Sequence, residues 1–292
     1  MSSKLYIKFT PPDQVILPYE PETTAYMNNA DVNIPNDGTV YFSATAYQIT
    51  GAELWTALDA FVVSVKTSLG LTLKQNNLST KFKFIYPRIG GTATAHRINL
   101  VDPTTFIGTF SGGWTHNGSG ALPNGTNGYM DTTCTYGTDN FTTANQSFGI
   151  CLKTNSLGLY SDFGSVTGYS NILFYPRRSA GIFETRCDDT IAQSTVNTNS
   201  IGLFALNRVL STQYKQYIDG SVFGTIISNS TALATPAQNP EEIFLAAVNF
   251  GGSPIFYSDR KQTLAYAGLG MTDTQVGDLY TAWATLETTL NR

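Results

Sequence analysis

The sequence predicts a mainly β protein, a sandwich or barrel of short strands with helices at its periphery. From about residue 80 onward, short apolar or alternating runs are bounded by Gly, Pro, Asn or Ser: KFKFIYP, QSFGICLKT, SNILFYP, AGIFETRC, SIGLFALNRV and EIFLAAVNF. The 292 residues include 40 threonines, which favour strands, and 26 glycines, which favour turns. In YKQYIDGSVFGTII, Asp219-Gly220 suits a type I′ turn, so we expect a hairpin there.

Two amphipathic helices flank these strands, at about residues 50–68 and 272–290. Each begins with a capping-box sequence, from Thr50 in the first and from Thr272 in the second. The first helix has five apolar residues on one face, namely Leu54, Leu58, Phe61, Val62 and Val65. The second has a wider stripe, consisting of Val276, Leu279, Tyr280, Trp283, Leu286 and Leu290. A stripe this wide must dock, and we expect it on the sandwich, on the first helix or on both.

Residues 1–48 differ from the rest of the chain because prolines are dense among them. The residues that define this segment are Pro11, Pro12, Pro18, Tyr19 and Pro21. Prolines at this density disfavour helices and central strands, so we expect an extended arm in which only residues 39–47 alternate as a strand does. An arm that buries little of its own surface is ordered more easily by a neighbouring subunit. We therefore expect residues 1–48 to be a docking segment and 49–292 to be the folded domain, which should stay soluble without the arm.

Charge and cysteine content exclude several classes of function. The net charge is −4 and no basic stripe is visible, so neither nucleic-acid binding nor attraction to a membrane surface is expected. Only 13% of residues are charged, about half the usual fraction. The N-terminal MSSKLYIKF lacks the apolar region of a signal peptide, and no segment approaches 18 apolar residues, so we expect cytoplasmic synthesis and no membrane insertion. The three cysteines are widely spaced, which predicts buried thiols within strands.

Several separated segments follow one another in an order that carries a resemblance. They are FKFIYPRIGGTATAHRINLVDP (82–103), GGWTHNGSGALPNGTNGYMDT (112–132), SIGLFALNR (200–208), YIDG (217–220) and the ending LAYAGLGMTDTQVGDLYTAWATLETTLNR. With the helix at 50–68, they resemble the concanavalin A-like lectin/glucanase (laminin-G-like) jelly rolls of bacteriophage virion proteins. The resemblance covers about residues 49–292. It implies two curved antiparallel sheets in a structural or adhesive virion component that is multicopy or homo-oligomeric and contacts other virion proteins.

The Gly-rich segment 112–131 has the chemistry of a sugar site, which combines an aromatic platform with amide and carboxylate hydrogen-bonding groups. The candidate residues are Trp114, His116, Asn117, Asn124, Asn127, Tyr129 and Asp131. In the alternative interpretation, Trp114 packs in the core and the Asn and Gly residues make turns. The resemblance favours this alternative, because the segment recurs there as a structural element.

Catalysis is not expected. Glycosidases need two carboxylates, which glucanases of this fold carry as E-x-D-x-E on one strand. Here Glu184 and Asp188 are separated by Arg186, so a salt-bridge ladder is the better interpretation. His96 and His116 lie outside any nucleophile motif. We expect no catalytic residue, no metal and no cofactor.

The sequence and its resemblance favour a role as a non-enzymatic structural component of a phage virion. It would be a capsid- or tail-associated decoration, fibre or adaptor protein anchored through residues 1–48, and it would be made in the bacterial cytoplasm. The alternative is an adhesin that binds a host-surface glycan through the jelly roll. A carbohydrate-active enzyme is a third and weaker alternative.

Overall fold

A computed structural model describes residues 19–29, 40–42, 48–72, 77–142, 144–167, 171–188, 193–227 and 239–292. Its helices are α1 (Pro21–Met27), α2 (Gly51–Ser68), α3 (Ala93–His96) and α4 (Asp273–Thr289). Its strands are β1 (Val40–Phe42), β2 (Gln48–Thr50), β3 (Phe82–Tyr86), β4 (Thr109–Ser111), β5 (Trp114–Asn117), β6 (Gly120–Pro123), β7 (Tyr129–Thr135), β8 (Gln146–Leu152), β9 (Phe163–Val166), β10 (Asn171–Arg178), β11 (Ile182–Cys187), β12 (Gln193–Val196), β13 (Gly202–Leu210), β14 (Gln213–Ile218), β15 (Ser221–Ile227), β16 (Glu242–Leu245), β17 (Val248–Phe250), β18 (Ser253–Ile255) and β19 (Gln262–Gly268). No helix within these ranges is long and apolar enough to cross a bilayer.

The described strands form two large sheets, which confirms the predicted mainly β sandwich. One has nine strands in the order β12-β11-β10-β9-β16-β7-β4, with β17 and β18 attached through β9. The other has eight strands in the order β15-β14-β13-β8-β19-β6-β5, with β3 paired to β19. Pairing is antiparallel except between β17 and β9. The predicted hairpin is confirmed, since Asp219 (φ 50°) and Gly220 (φ 76°) form the turn between β14 and β15.

The core between the sheets is largely aromatic. Side chains that alternate along each strand meet in this layer, among them Phe84, Phe148, Phe163, Phe174, Phe183 and Phe204, all fully buried. Aromatic rings of this size bury much apolar area per residue, which suits a layer about 10 Å thick. The cysteines are buried thiols within strands, as predicted, with Cys134 and Cys187 in this layer and Cys151 on the opposite side of the eight-stranded sheet.

Helices α2 and α4 cover the outer face of the eight-stranded sheet. Both predicted capping boxes are present, and Thr50 and Thr272 each accept a hydrogen bond from the third backbone N–H of their helix at 3.2 Å. The predicted apolar stripes, apart from the half-buried Tyr280, are buried together with Tyr266 and Tyr217 of the sheet. Phe61 of α2 meets Trp283 of α4 edge to face, with 5.8 Å between ring centroids. Helix α4 therefore docks on both the sandwich and the first helix.

The expectation that residues 1–48 form an extended arm is wrong for residues 19–29. Pro21 occupies the first turn of α1, where its missing N–H costs nothing, so a proline begins the helix here instead of breaking it. Tyr26 and Met27 are fully buried and belong to the helical core cluster. Of the other defining residues, Tyr19 packs on Trp55 with ring centroids 5.2 Å apart. Pro11, Pro12 and Pro18 lie outside the described residues.

A buried ion cluster fixes α1 to α2. The Lys66 Nζ donates to Glu20 Oε2 at 2.8 Å and to Glu22 Oε2 at 2.7 Å, and all three side chains are at most 2% exposed. Burial alone would lower the pKa of Lys66, but the hydrogen bonds to both carboxylates outweigh burial and raise it. Glu22 also accepts the backbone N–H of Leu78 at 2.8 Å. Residues 20–27 are thus part of the folded unit.

The side chain of Arg292 fixes the end of α4 to the turn after β3. Its guanidinium donates to the carbonyls of Pro87 and Arg88 at 2.8 and 2.9 Å. It also pairs with Glu287 Oε1 at 2.6 Å and lies over the Trp283 ring. The Arg292 side chain is 1% exposed, so these charge-assisted bonds form away from water.

Candidate functional site

The nine-stranded sheet has one face on the aromatic core and one face that no described helix covers. Along β10, Phe174 points into the core, while Leu173 and Tyr175 point to the outer face. On β11, Glu184 lies opposite Tyr175 and Arg186 opposite Leu173. Cross-strand neighbours share a face of the sheet, so these four side chains stand together on the uncovered side.

A cavity of about 420 Å³ opens on this uncovered face. We call it the open-face pocket; it is lined by Leu159, Val166, Leu173, Tyr175, Arg178, Glu184, Arg186, Val248, Phe250, Ile255 and Phe256. Its floor is a small apolar cluster that is separate from the two larger cores. The volume is within the range of roughly 300–1,000 Å³ that is usual for small-ligand sites.

One wall of the open-face pocket is the hairpin formed by β17 and β18. Gly251 and Gly252 make its turn with φ of 57° and 83°, a conformation that favours glycine. The turn leaves Phe250, the last residue of β17, 54% exposed. Asn249 secures the hairpin, since its amide donates to the Glu242 carbonyl and its Oδ1 accepts from the backbone N–H of Gly252, both at 2.9 Å.

Phe256 follows the hairpin and has a left-handed backbone, with φ of 58°. A bulky residue rarely adopts this conformation, and where it does the surrounding structure must impose it. Here it places the ring edge-on to Tyr175, with centroids 6.1 Å apart, while the side chain stays 39% exposed. The backbone therefore holds the Phe256 side chain at the surface, although the hydrophobic effect favours burying an aromatic ring.

Charged groups line one side of the open-face pocket. Arg178 pairs with Glu184 and lies over the Tyr175 ring, 5.5 Å from its centroid. The hydrogen bond to Glu184 raises the pKa of Arg178. Burial raises the pKa of Tyr175 to about 12, so its phenol is a neutral hydrogen-bonding group at physiological pH. Arg186 is half-buried beside Tyr175, and its Nε is buried with no hydrogen-bond partner in the described chain.

Two buried features hold the pocket in shape. A Cβ on Gly164 would lie 2.9 Å from Val248 Cγ2, so glycine lets the hairpin pack directly on β9. The wall that carries Leu159 is fixed by Arg260, whose guanidinium donates to the carbonyls of Ser156 and Tyr160. Arg260 also pairs with Asp162 at 2.6 Å, and both side chains are fully buried. A site on such supports is preorganised.

Other concave surfaces in the described structure present less suitable chemistry. A groove of about 440 Å³ between α2 and α4 is lined mainly by alanine, serine and threonine, and its Phe61 is 2% exposed. A cavity of about 350 Å³ near the end of α4 includes Trp283, which is 1% exposed. The second cavity also contains the half-buried Tyr280, but neither has an aromatic side chain as exposed as Phe250 and Phe256 at the wall of the open-face pocket.

Trp114 and His116, from the segment predicted to bind sugar, both point toward the edge of the core. The Trp114 indole N–H donates to the carbonyls of Ser111 and Tyr129 at 3.1 and 3.2 Å, and its ring stacks on His116. His116 Nδ1 lies 3.0 Å from His96 Nδ1. Burial and the nearby charge of Arg88 lower the pKa of His116 to about 4. This pair therefore gives no open aromatic platform.

The asparagines of the same segment organise turns. Asn124 Oδ1 accepts the backbone N–H groups of residues 126–128 at 3.0–3.1 Å. Asn127 Oδ1 accepts the Gly113 N–H and an amide hydrogen of Asn124. Asn117 Oδ1 caps the β5–β6 turn by accepting from the backbone N–H of Ser119 at 3.0 Å. These are the turn-forming roles of the alternative interpretation.

Tyr129 and Asp131 lie on β7, in the nine-stranded sheet, whereas Trp114 and His116 lie on β5 in the other sheet. The Tyr129 ring packs on Phe244 with centroids 4.8 Å apart. Asp131 Oδ1 accepts the Thr133 N–H at 2.7 Å, and burial raises the pKa of Asp131. The structure therefore does not gather the predicted residues into one exposed cluster, and a sugar-binding role for them stays a prediction.

The expected ladder of Glu184, Arg186 and Asp188 is wrong, because neither of its two ion pairs forms in the described structure. Asp188 has φ of 53°, which turns its side chain inward, and it accepts hydrogen bonds from Tyr136 Oη and Gln146 Nε2. Glu184 pairs with Arg178 instead of Arg186. Among the described residues, no three His, Cys, Asp or Glu side chains are grouped as metal ligands.

The sequence does not predict the open-face pocket, because its residues look like ordinary strand residues. Tyr175 belongs to SNILFYP and Phe250 to VNFGGSPIF, about 75 positions apart. Two features of the sequence point to it. The continuous run ILFY at 172–175 indicates a strand buried on both faces, and aromatic residues bracket the Gly251-Gly252 turn.

No protein-family model matches the chain, and no curated protein matches it. Among solved structures, it is similar to the receptor-binding domain of botulinum neurotoxin D, with 11% identity, a TM-score of 0.46, and coverage of 70% of this chain and 52% of that one. It is also similar to domain 4 of AbnA, a GH43 extracellular arabinanase from Geobacillus stearothermophilus solved with arabinotriose. There the identity is 16%, the TM-score 0.42, and the coverage 68% of this chain and 98% of that one.

A mutant of the NanB sialidase from Streptococcus pneumoniae is similar over less of the chain, with 13% identity, a TM-score of 0.34, and coverage of 46% and 23%. The chain spans about half the length of the botulinum neurotoxin D domain. At these identities and TM-scores the likeness concerns no more than the general β-sandwich fold.

Proposed function

We propose that this chain is a non-catalytic carbohydrate-binding module and that the open-face pocket is its binding site. The observation that carries the proposal is the pair of exposed phenylalanines, Phe250 and Phe256, around a pocket floored by Tyr175. Sugar rings present C–H faces that pack on aromatic rings and hydroxyls that hydrogen-bond to charged groups. The pocket offers both, on a rigid sheet.

The pocket chemistry favours binding over hydrolysis. A glycosidase needs two carboxylates, one of which gives or takes a proton. Of the described residues that line the pocket, only Glu184 is a carboxylate, and it is 8% exposed and paired with Arg178. The Glu184 carboxylate holds Arg178 over the Tyr175 ring.

The proposal is tested by screening the protein on a glycan array and comparing Phe250→Ala and Phe256→Ala with the wild type. We expect each substitution to weaken binding about ten-fold or more, because each removes an aromatic contact from the wall of the site. Leu210→Ala is the matched control, since Leu210 is 48% exposed on the eight-stranded sheet. Binding that survives both phenylalanine substitutions but is lost in Trp114→Ala would place the site in the segment 112–131 and refute the proposal.

A glycan-binding module agrees with the adhesin that the sequence suggests as the alternative to a structural virion component, and the virion location stays a prediction. Its test needs a shorter deletion than residues 1–48. Removing 19–27 would leave Lys66 without its carboxylates and expose the surface that Tyr26 and Met27 cover. Deleting residues 1–18 preserves these contacts. If residues 1–18 are needed for docking, their deletion should abolish incorporation into particles while the unfolding temperature stays unchanged; undiminished incorporation would count against the docking role.

A further inference from the structure

We propose that the ligand of the open-face pocket carries a carboxylate, so that the module binds an acidic saccharide; this inference rests on the proposed function. The pocket lining contains two guanidinium groups and one carboxylate among the described residues, so its local charge is positive. The chain as a whole has a net charge of −4. A locally cationic pocket on an anionic protein favours a ligand of opposite charge, because opposite charges attract.

Arg186 is the group that would receive the carboxylate. The other guanidinium, Arg178, is already occupied by Glu184 and by the Tyr175 ring. In the described structure Arg186 makes neither an ion pair nor a hydrogen bond, and its Nε is buried. A buried guanidinium donor without an acceptor is costly, so the geometry favours a ligand that brings one. A planar carboxylate accepts from a guanidinium through two parallel hydrogen bonds.

The neighbours of Arg186 define how the sugar would lie. Arg186 stands opposite Leu173 on the floor and beside Tyr175, while Phe250 and Phe256 form the facing wall. A pyranose ring on these aromatic side chains can direct a substituent toward Arg186. Sialic acids and uronic acids both place a carboxylate directly on the ring, so both fit this chemistry.

The test compares each acidic sugar with its own methyl ester, which removes the charge and keeps the ring. Sialyllactose and cellobiouronic acid are titrated against their esters by calorimetry. We expect the wild type to bind at least one acid about 10- to 100-fold more tightly than the ester, because a hydrogen bond to a charged group is lost in the ester. Whichever acid shows the larger ratio identifies the class of sugar.

Arg186→Gln should reduce the acid-to-ester ratio to near one. Arg177→Gln is the matched control, because it removes the same charge from a guanidinium that donates to Asn155 outside the pocket. Arg186→Lys should retain part of the preference for the acid over the ester. In the wild type, this preference should fall as NaCl is raised to about 0.5 M. These two measurements keep the test valid if Arg186→Gln does not fold.

The results separate two failures. If acid and ester bind equally, or if Arg186→Gln keeps the preference, the acidic-sugar inference is overturned while the binding module stands. If no sugar binds in any form, both the inference and the proposed function are wrong.

Discussion

Replacing Lys66 with methionine removes the cation that Glu20 and Glu22 share in a water-free position. Removing one partner of a buried ion cluster typically costs about 3–5 kcal/mol, because it leaves an uncompensated charge. This cost is opposed by the burial of Tyr26 and Met27, which stabilises the docked position of α1 by about 1.5–3 kcal/mol for each side chain. The two quantities are similar, so we expect α1 to be docked in only part of the Lys66→Met molecules.

Hydrogen exchange measured by mass spectrometry on peptides from residues 19–29 reports this release directly, and urea unfolding gives the total loss of stability. Lys153→Met is the matched control. Lys153 is 34% exposed and its partner Glu287 keeps Arg292, so a change below about 1 kcal/mol is expected. Unchanged protection of α1 in Lys66→Met, with unfolding free energy within about 1 kcal/mol of wild type, would refute the reasoning.

The pH dependence of the same cluster has a definite sign. The pKa of Lys66 is raised in the folded protein above its ordinary value of 10.5. A base whose folded pKa is raised stabilises the fold fully below its unfolded pKa, and the stabilisation is lost as pH rises through the folded pKa. In the wild type, α1 should therefore lose protection above about pH 10.5, after correction for the intrinsic exchange rate. In Lys66→Met this alkaline step should be absent.

Three further predictions concern the rest of the fold. Arg292→Ala should lower the unfolding free energy by about 2–3 kcal/mol in urea titrations, because it removes buried charge-assisted bonds to two carbonyls and to Glu287. Folding lowers the pKa of His116 from its ordinary value of 6.5 to about 4, so the unfolded state binds more protons than the folded state at pH values between these two. The unfolding temperature should then fall on acidification through this range, and less so in His116→Asn. Gly164→Ala should cost about 1–3 kcal/mol through its clash with Val248, and it should also weaken sugar binding.

Each of these three has an opposing outcome. Arg292→Ala with wild-type stability would mean that the turn after β3 does not depend on that guanidinium. An acid transition identical in His116→Asn would assign the pH dependence to other groups. Gly164→Ala with normal stability and binding would show that the hairpin wall can shift without consequence.

The helices α2 and α4 and most strands could be predicted because their signals are local. Thr50 and Thr272 cap the turns that immediately follow them, and apolar periodicity within each segment identifies the buried face. Helix α1 could not be predicted in this way. Its docking depends in part on Lys66, more than 40 positions away in the sequence, and the proline-rich composition of residues 1–48 gives no signal for this ion pair.

The site shows the same limit. Trp114 and the asparagines near it have the composition of a sugar site, but hydrogen bonds within the segment occupy their polar groups. The open-face pocket needs β10, β11 and the β17–β18 hairpin side by side, and only the strand order brings them together. The left-handed backbone at Phe256 has no sequence signal, since phenylalanine does not favour it.

The most direct measurement of where a sugar binds is an NMR titration of the protein, with its phenylalanine rings isotopically labelled, using an oligosaccharide selected on the array. Binding at the open-face pocket predicts that the ring signals of Phe250 and Phe256 and the amides of residues 182–187 shift most, and that these shifts saturate together. Shifts confined to residues 112–131 or to the groove between α2 and α4 would contradict the assignment of the open-face pocket as the binding site.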